Sequence, residues 1–159
     1  MAFKVFLSHS LDPAEQVLAW RLQTLAAAHE IEMFVPQRSG EHQTAAGLQS
    51  IRQAIDGADC VLAIITADAS RNVRDELQYA LSKSKLVIPI VRSDLSGHPL
   101  IVPFGRIFIF SPWDDPGKIE SEIVQFLKEQ KISKEHQQAI GGLAALGLGL
   151  LLLFSLTEK

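Results

Sequence analysis

Residues 60–65 read Cys-Val-Leu-Ala-Ile-Ile, an apolar run rich in β-branched side chains and without a polar position. Such a run suits a strand buried on both faces, which belongs in a parallel sheet covered by helices on each side. The strand reading extends to Thr66, and four more short runs share its character, at 3–8, 31–35, 86–91 and 106–110. Helical patterns lie between them: 13–29 with Val17, Trp20, Leu22 and Leu25; 48–57 with Ile51 and Ile55; 73–84; and 118–128 with Ile119, Ile123, Phe126 and Leu127. Strict alternation of strand and helix predicts an α/β, doubly wound parallel sheet of five strands, in the order 2-1-3-4-5.

That order places a ligand crevice outside the carboxyl ends of strands 1 and 3, where the winding reverses. Two polar loops meet there, Ser8-His9-Ser10-Leu11-Asp12 after strand 1 and Ala67-Asp68-Ala69-Ser70 after strand 3. Asp12 before Pro13 reads as a helix N-cap, and Ser70 suits the same role for the next helix. Capping and lining a pocket are compatible, so Ser8, His9, Ser10, Asp12 and Ser70 are candidate substrate-binding residues.

Several chemistries are excluded by composition. The net charge is -3, without the basic excess that displaces counterions from nucleic-acid phosphates. No metal site is expected, because His29, His42, His98 and His136 are scattered with no ligand spacing toward Cys60. Cys60 opens a buried strand and reads as a small core residue, and a single cysteine forms no intrachain disulfide. The loop after strand 1 contains no glycine, so neither common phosphate-binding glycine loop is present there. The apolar stretch at the N-terminus is too short for a signal peptide.

At the other end, residues 139–156 are apolar or small throughout apart from the hydroxyl of Ser155. A helix of that length, at about 1.5 Å per residue, nearly matches a hydrocarbon core of about 30 Å. A buried core helix is the alternative, but it ordinarily keeps a polar stripe that this segment lacks. The expected organisation is a domain over 1–130, a short polar linker over 131–138 and a single transmembrane helix over 139–156. Lys128, Lys131 and Lys134 precede the segment and only Lys159 follows, which orients the N-terminal domain to the cytoplasm. Gly141, Ala145 and Gly149 would line small side chains along one face.

Glu76 is the candidate catalytic group. It stands three residues from Val73 and four from Ala80, at the border of a stripe formed with Leu77 and Leu81, so it should border the buried face. No basic residue occupies the positions three or four away, whereas Asp75 has Arg71. A solvated helix carboxylate is the competing reading; the place beside the crevice favours function. The long stretch 36–47 has no apolar period and reads as an exposed loop whose Arg38 and Glu41 offer both signs of charge to a partner.

Taken together, Lys4-Val5-Phe6-Leu7-Ser8-His9-Ser10 opening the sheet, the glycine-containing loop after strand 2, and Ile55-Asp56-Gly57-Ala58-Asp59-Cys60-Val61-Leu62 entering strand 3 resemble a bacterial TIR (Toll/interleukin-1 receptor) domain. Residues 70–77 resemble the family's motif of a serine six residues before a Glu-Leu pair. The resemblance covers residues 2–128 and implies a flavodoxin-like fold. It places Glu76 on the glutamate with which such enzymes cleave NAD+, and Arg38, Ser39, Gly40 and Glu41 in the loop through which TIR domains self-associate. Asn72-Val73 stand where many members carry Trp-Cys, which removes a large aromatic from the site's edge.

The resemblance therefore implies a membrane-anchored NAD+ nucleosidase, a hydrolase or cyclase that is active when self-assembled, in bacterial immune or stress signalling such as antiphage defence. NAD+ would be substrate, and no cofactor is implied. The rival reading is a non-enzymatic adaptor that recruits other TIR domains through the same loop; adaptor members often lack the glutamate that Glu76 matches. A base-exchanging nucleoside enzyme on a related sheet is a third reading.

Overall fold

β3, Cys60–Ile65, has all six residues buried, as a central strand of a covered sheet requires. The computed structural model describes residues 2–36, 45–66, 71–95, 107–111 and 115–140. Around β3 stand β1 (Phe3–Ser8), β2 (Ile31–Phe34), β4 (Leu86–Arg92) and β5 (Phe108–Phe110), all parallel, in the order β2-β1-β3-β4-β5. The helices are α1 (Pro13–Ala28), α2 (Ala45–Asp56), α3 (Arg71–Ser82) and α4 (Pro116–Ile140). The strand order read from the alternation is the observed one.

Period-two alternation divides the core in two. Phe3, Val5 and Leu7 of β1, with Cys60, Leu62 and Ile64 of β3, pack with Ala19, Leu22 and Ala26 of α1 and Ile123 and Leu127 of α4. Phe6, Val61, Ala63 and Ile65 face the other way, onto Ile51 and Ile55 of α2 and Val73, Leu77 and Ala80 of α3. Ser8 has the parity of Phe6, so the strand's own geometry turns its side chain toward α3.

Two readings change. Val17, Trp20 and Leu25, expected on the inner stripe of α1, are exposed, at 50%, 56% and 37%. The buried face is instead Glu15, Ala19, Leu22 and Ala26, whose alanines let the helix approach the sheet closely. α4 also runs on past Lys128 to Ile140, making residues 131–138 helical where a linker was expected. That stretch has no apolar stripe, but its lysines dock it. Lys134 Nζ lies 2.8 Å from Asp59 Oδ2 and donates to the Ala2 carbonyl at 3.2 Å, while Lys131 reaches the His29 carbonyl at 3.2 Å. Two lysines on which the membrane orientation rests therefore also hold the helix to the fold.

Among the described residues no helix is long and apolar enough to cross a membrane. Residues 141–156 of the expected span lie outside the described residues.

Candidate functional site

Glu76 is buried, at 5% exposure, so the solvated reading fails. Asp75, one position along, is the solvated carboxylate, 3.9 Å from Arg71. α3 carries Glu76 inward on the same face as Val73, Leu77 and Ala80, and β1 presents Ser8 to meet it. The Ser8 hydroxyl donates to Glu76 Oε1 at 2.6 Å, with both residues out of water. A buried carboxyl group needs such donors, and a short O–H···O bond fixes its direction.

The loop after β1 is held by a second buried glutamate that the sequence reading passed over. Glu15 Oε1 accepts the Ser10 N–H at 2.9 Å and Oε2 accepts the Thr66 hydroxyl at 2.5 Å. It thus ties the β1–α1 loop to the end of β3. The local signal is Asp12-Pro13-Ala14-Glu15, an N-cap with a glutamate three residues on, as in a capping box. Asp12 does cap the helix, accepting from Ala14 N at 2.8 Å, and Ser10 Oγ accepts from Asp12 N at 3.1 Å.

His9, in the first of the two loops expected to line the crevice, is buried. Its Nδ1 lies 2.7 Å from the Ser10 carbonyl oxygen and its Nε2 3.1 Å from that of Pro36. The ring therefore bridges the β1–α1 loop to the segment after β2 and does not present itself to solvent. The other site candidates, Ser70 and the loop residues Arg38, Ser39, Gly40 and Glu41, lie outside the described residues.

Glu76 also lines a groove of about 450 Å³ between α2 and α3, with Ile51 and Ile55 buried at its base and Arg52, Asn72 and Tyr79 among its other walls. This volume lies in the range of small-molecule sites. The Tyr79 hydroxyl donates to Asp56 at 2.9 Å, and Arg52 sits with its guanidinium carbon 5.3 Å from the Tyr79 ring centroid. Desolvation, then the Asp56 carboxylate, push the Tyr79 phenol up from its ordinary value. A separate, mainly apolar cavity of about 420 Å³ opens between α1, β5 and α4 and does not include Glu76. Cys60 is buried away from both, and burial, with Asp59 adding to it, pushes its thiol up to about 12.

The glutamate that the TIR resemblance singles out is therefore buried on α3, bonded from the end of β1 and beside a groove. The family model for the TIR domain matches residues 5–124. The chain belongs to the TIR-domain family. No curated protein matches this TIR domain significantly. Among solved structures it is similar to the CMP N-glycosidase BcmB of Clostridium botulinum, with a TM-score of 0.57 and 12% identity over 77% of this chain and 98% of that one. The TIR domains of the activated Roq1 resistosome align with a TM-score of 0.49 and 13% identity, over 99% of this chain and 82% of that chain. A 2-desoxiribosyltransferase from Leishmania mexicana aligns with a TM-score of 0.47 and 12% identity, over 56% of this chain and 64% of its own length. At such identities the likeness to BcmB is one of fold.

Proposed function

We propose that this TIR domain cleaves NAD+ between nicotinamide and ribose, with Glu76 as the catalytic residue. The observation that carries the reading is the buried Glu76, aimed by the Ser8 hydroxyl and lining an open groove. In NAD+ the pyridinium nitrogen is already a good leaving group: when the C1′–N bond breaks, the electron pair goes to nitrogen, nicotinamide departs neutral and positive charge develops on the ribose. A strong general acid is unnecessary. A carboxylate fixed beside C1′ stabilises the oxocarbenium-like transition state, and does so more strongly away from bulk water. Water then adds to C1′ and releases a proton, giving ADP-ribose; capture by the nucleotide's own adenine or a hydroxyl gives a cyclic product. BcmB, by its name an N-glycosidase, indicates that this fold accommodates N-glycosidic cleavage.

Ser8 is the positioning residue for Glu76, while His9, Ser10 and Asp12 shape the adjoining loop. Ser70 completes the substrate contacts in this reading, and the loop carrying Arg38, Ser39, Gly40 and Glu41 self-associates with other copies. The apolar segment 139–156 anchors the domain to a membrane as a single pass, with the domain on the cytoplasmic side. The helical, docked 131–138 stretch would make that connection stiff, and copies confined to a surface would assemble through contacts too weak to act in solution. The biological setting is bacterial immune or stress signalling, as the resemblance implies.

The test is to reconstitute the full chain on liposomes, add NAD+ and measure nicotinamide, alongside Glu76→Ala. Release by the wild type that the substitution abolishes is the expected result. No release, or release unchanged by the substitution, would leave the non-enzymatic adaptor as the better reading. Replacing residues 139–159 by a soluble tail should lower activity at equal protein concentration, and equal activity would remove the anchor's role in assembly.

A further inference from the structure

The groove beside Glu76 changes character along its length. Asp75 and Glu76 line it from the first half of α3, Tyr79 follows toward the helix's end with Lys83 just past that end, and Arg52 joins from α2. Arg52 is held over the Tyr79 ring at 5.3 Å, and Lys83 Nζ lies 5.5 Å from the same ring centroid. Tyr79 is itself fixed, because its hydroxyl is bound to both carboxylate oxygens of Asp56 at 2.9 and 3.0 Å. That bond also occupies Asp56, the acid one helical turn beyond Arg52 on α2. Among the described residues no carboxylate forms an ion pair with Arg52. The result is an exposed guanidinium, stacked on an aromatic ring and open to an anion.

We propose that Arg52, supported by Tyr79, is the subsite that receives the diphosphate of the substrate; this rests on the reading of Glu76 as the catalytic residue. The polarity of the groove matches a dinucleotide with a cationic base at one end and phosphates further along. Tyr79 is three residues beyond Glu76, an axial rise of about 4.5 Å. A ribose spans a comparable distance between its anomeric carbon and its 5′ phosphate, so a substrate with C1′ at Glu76 carries its phosphates toward Arg52. A guanidinium suits that contact because its donors form a planar fork that grips a phosphate through two bonds.

The experiment compares NAD+ with nicotinamide riboside, which keeps the scissile bond but carries no phosphate, and measures ADP-ribose binding by calorimetry. Arg52→Ala should raise KM for NAD+ about tenfold or more with kcat changed far less. It should lower kcat/KM for nicotinamide riboside much less than for NAD+, and weaken ADP-ribose binding about tenfold. Arg52→Lys should recover part of each loss. An unchanged KM and ADP-ribose affinity, or equal losses for both substrates, would overturn the subsite. If the wild type cleaves neither compound yet binds ADP-ribose in an Arg52-dependent way, the catalytic reading falls and the subsite stands. If it cleaves NAD+ with no dependence on Arg52, the reverse holds.

Discussion

Ser8→Ala removes one fully buried oxygen atom, and with it the 2.6 Å donor to Glu76 Oε1. The deleted atom is small, so the cavity term is minor and the loss is chiefly that of the bond. Hydrogen bonds to charged groups contribute about 1.5–3 kcal/mol. Urea unfolding should therefore show a loss of about 1.5–3 kcal/mol with an unchanged slope. In a Glu76→Ala background the bond is already gone, so the same change should cost less than about 0.5 kcal/mol, leaving the difference as coupling. If the same hydroxyl also holds Glu76 in the transition state, kcat for nicotinamide release should fall about tenfold or more in Ser8→Ala. Equal stability losses in the two backgrounds would refute the reasoning, because Ser8 would then act through packing and not through Glu76.

Glu15→Ala should destabilise by more than about 2 kcal/mol, since two donors lose a buried partner. Glu15→Gln should cost less than about 1.5 kcal/mol, because its amide keeps an acceptor for Ser10 N while the Thr66 hydroxyl turns to accept; similar losses in thermal unfolding would discard the clamp. Ser84 has a φ of 61°, just past the end of α3, where Lys85 N returns to the Ala80 carbonyl at 3.0 Å. Ser84→Gly should raise stability by about 0.5–1 kcal/mol, seen as a higher urea midpoint, and a fall would contradict the strain argument. The Cys60 thiol, raised from 9.0 to about 12 by burial, keeps its proton in the folded state where the unfolded chain loses it. Its contribution is thus complete below pH 9 and declines between 9 and 12, by roughly 1.4 kcal/mol per pH unit. Cys60→Ala should unfold with a shallower alkaline decline, and an identical pH dependence would dismiss the thiol as its cause.

What was legible in the chain followed its periodicity. The run 60–65 announced a doubly buried strand, and alternation narrowed the sheet order to a few windings, because parallel strands need helical crossovers; the expected winding is the observed one. Spacing also put Glu76 at the edge of a buried stripe, which is where it lies. Its partner was less accessible to this reasoning: Ser8 is 68 residues away, and only the parity of β1 combined with the sheet order brings the two together. Glu15 was overlooked because a glutamate in a first helical turn ordinarily serves the helix dipole at the surface, whereas this one reaches back to Ser10 and across to Thr66. In α1 the larger apolar residues drew attention from Ala19 and Ala26, although close packing against a sheet favours the small ones. α4 outran its apolar period because Lys131 and Lys134 dock its polar half through backbone carbonyls and Asp59, contacts that leave no hydrophobic signature.

The central claim is that Glu76 performs chemistry, beyond holding Ser8 in place. Glu76→Gln separates the two roles, since its amide oxygen still accepts from Ser8 in a side chain of the same shape but carries no charge to oppose a developing cation. Nicotinamide release from NAD+ should fall by about a hundredfold or more in this variant on liposomes, with thermal unfolding close to that of the wild type. Retention of the wild-type rate by a folded Glu76→Gln protein would contradict the account.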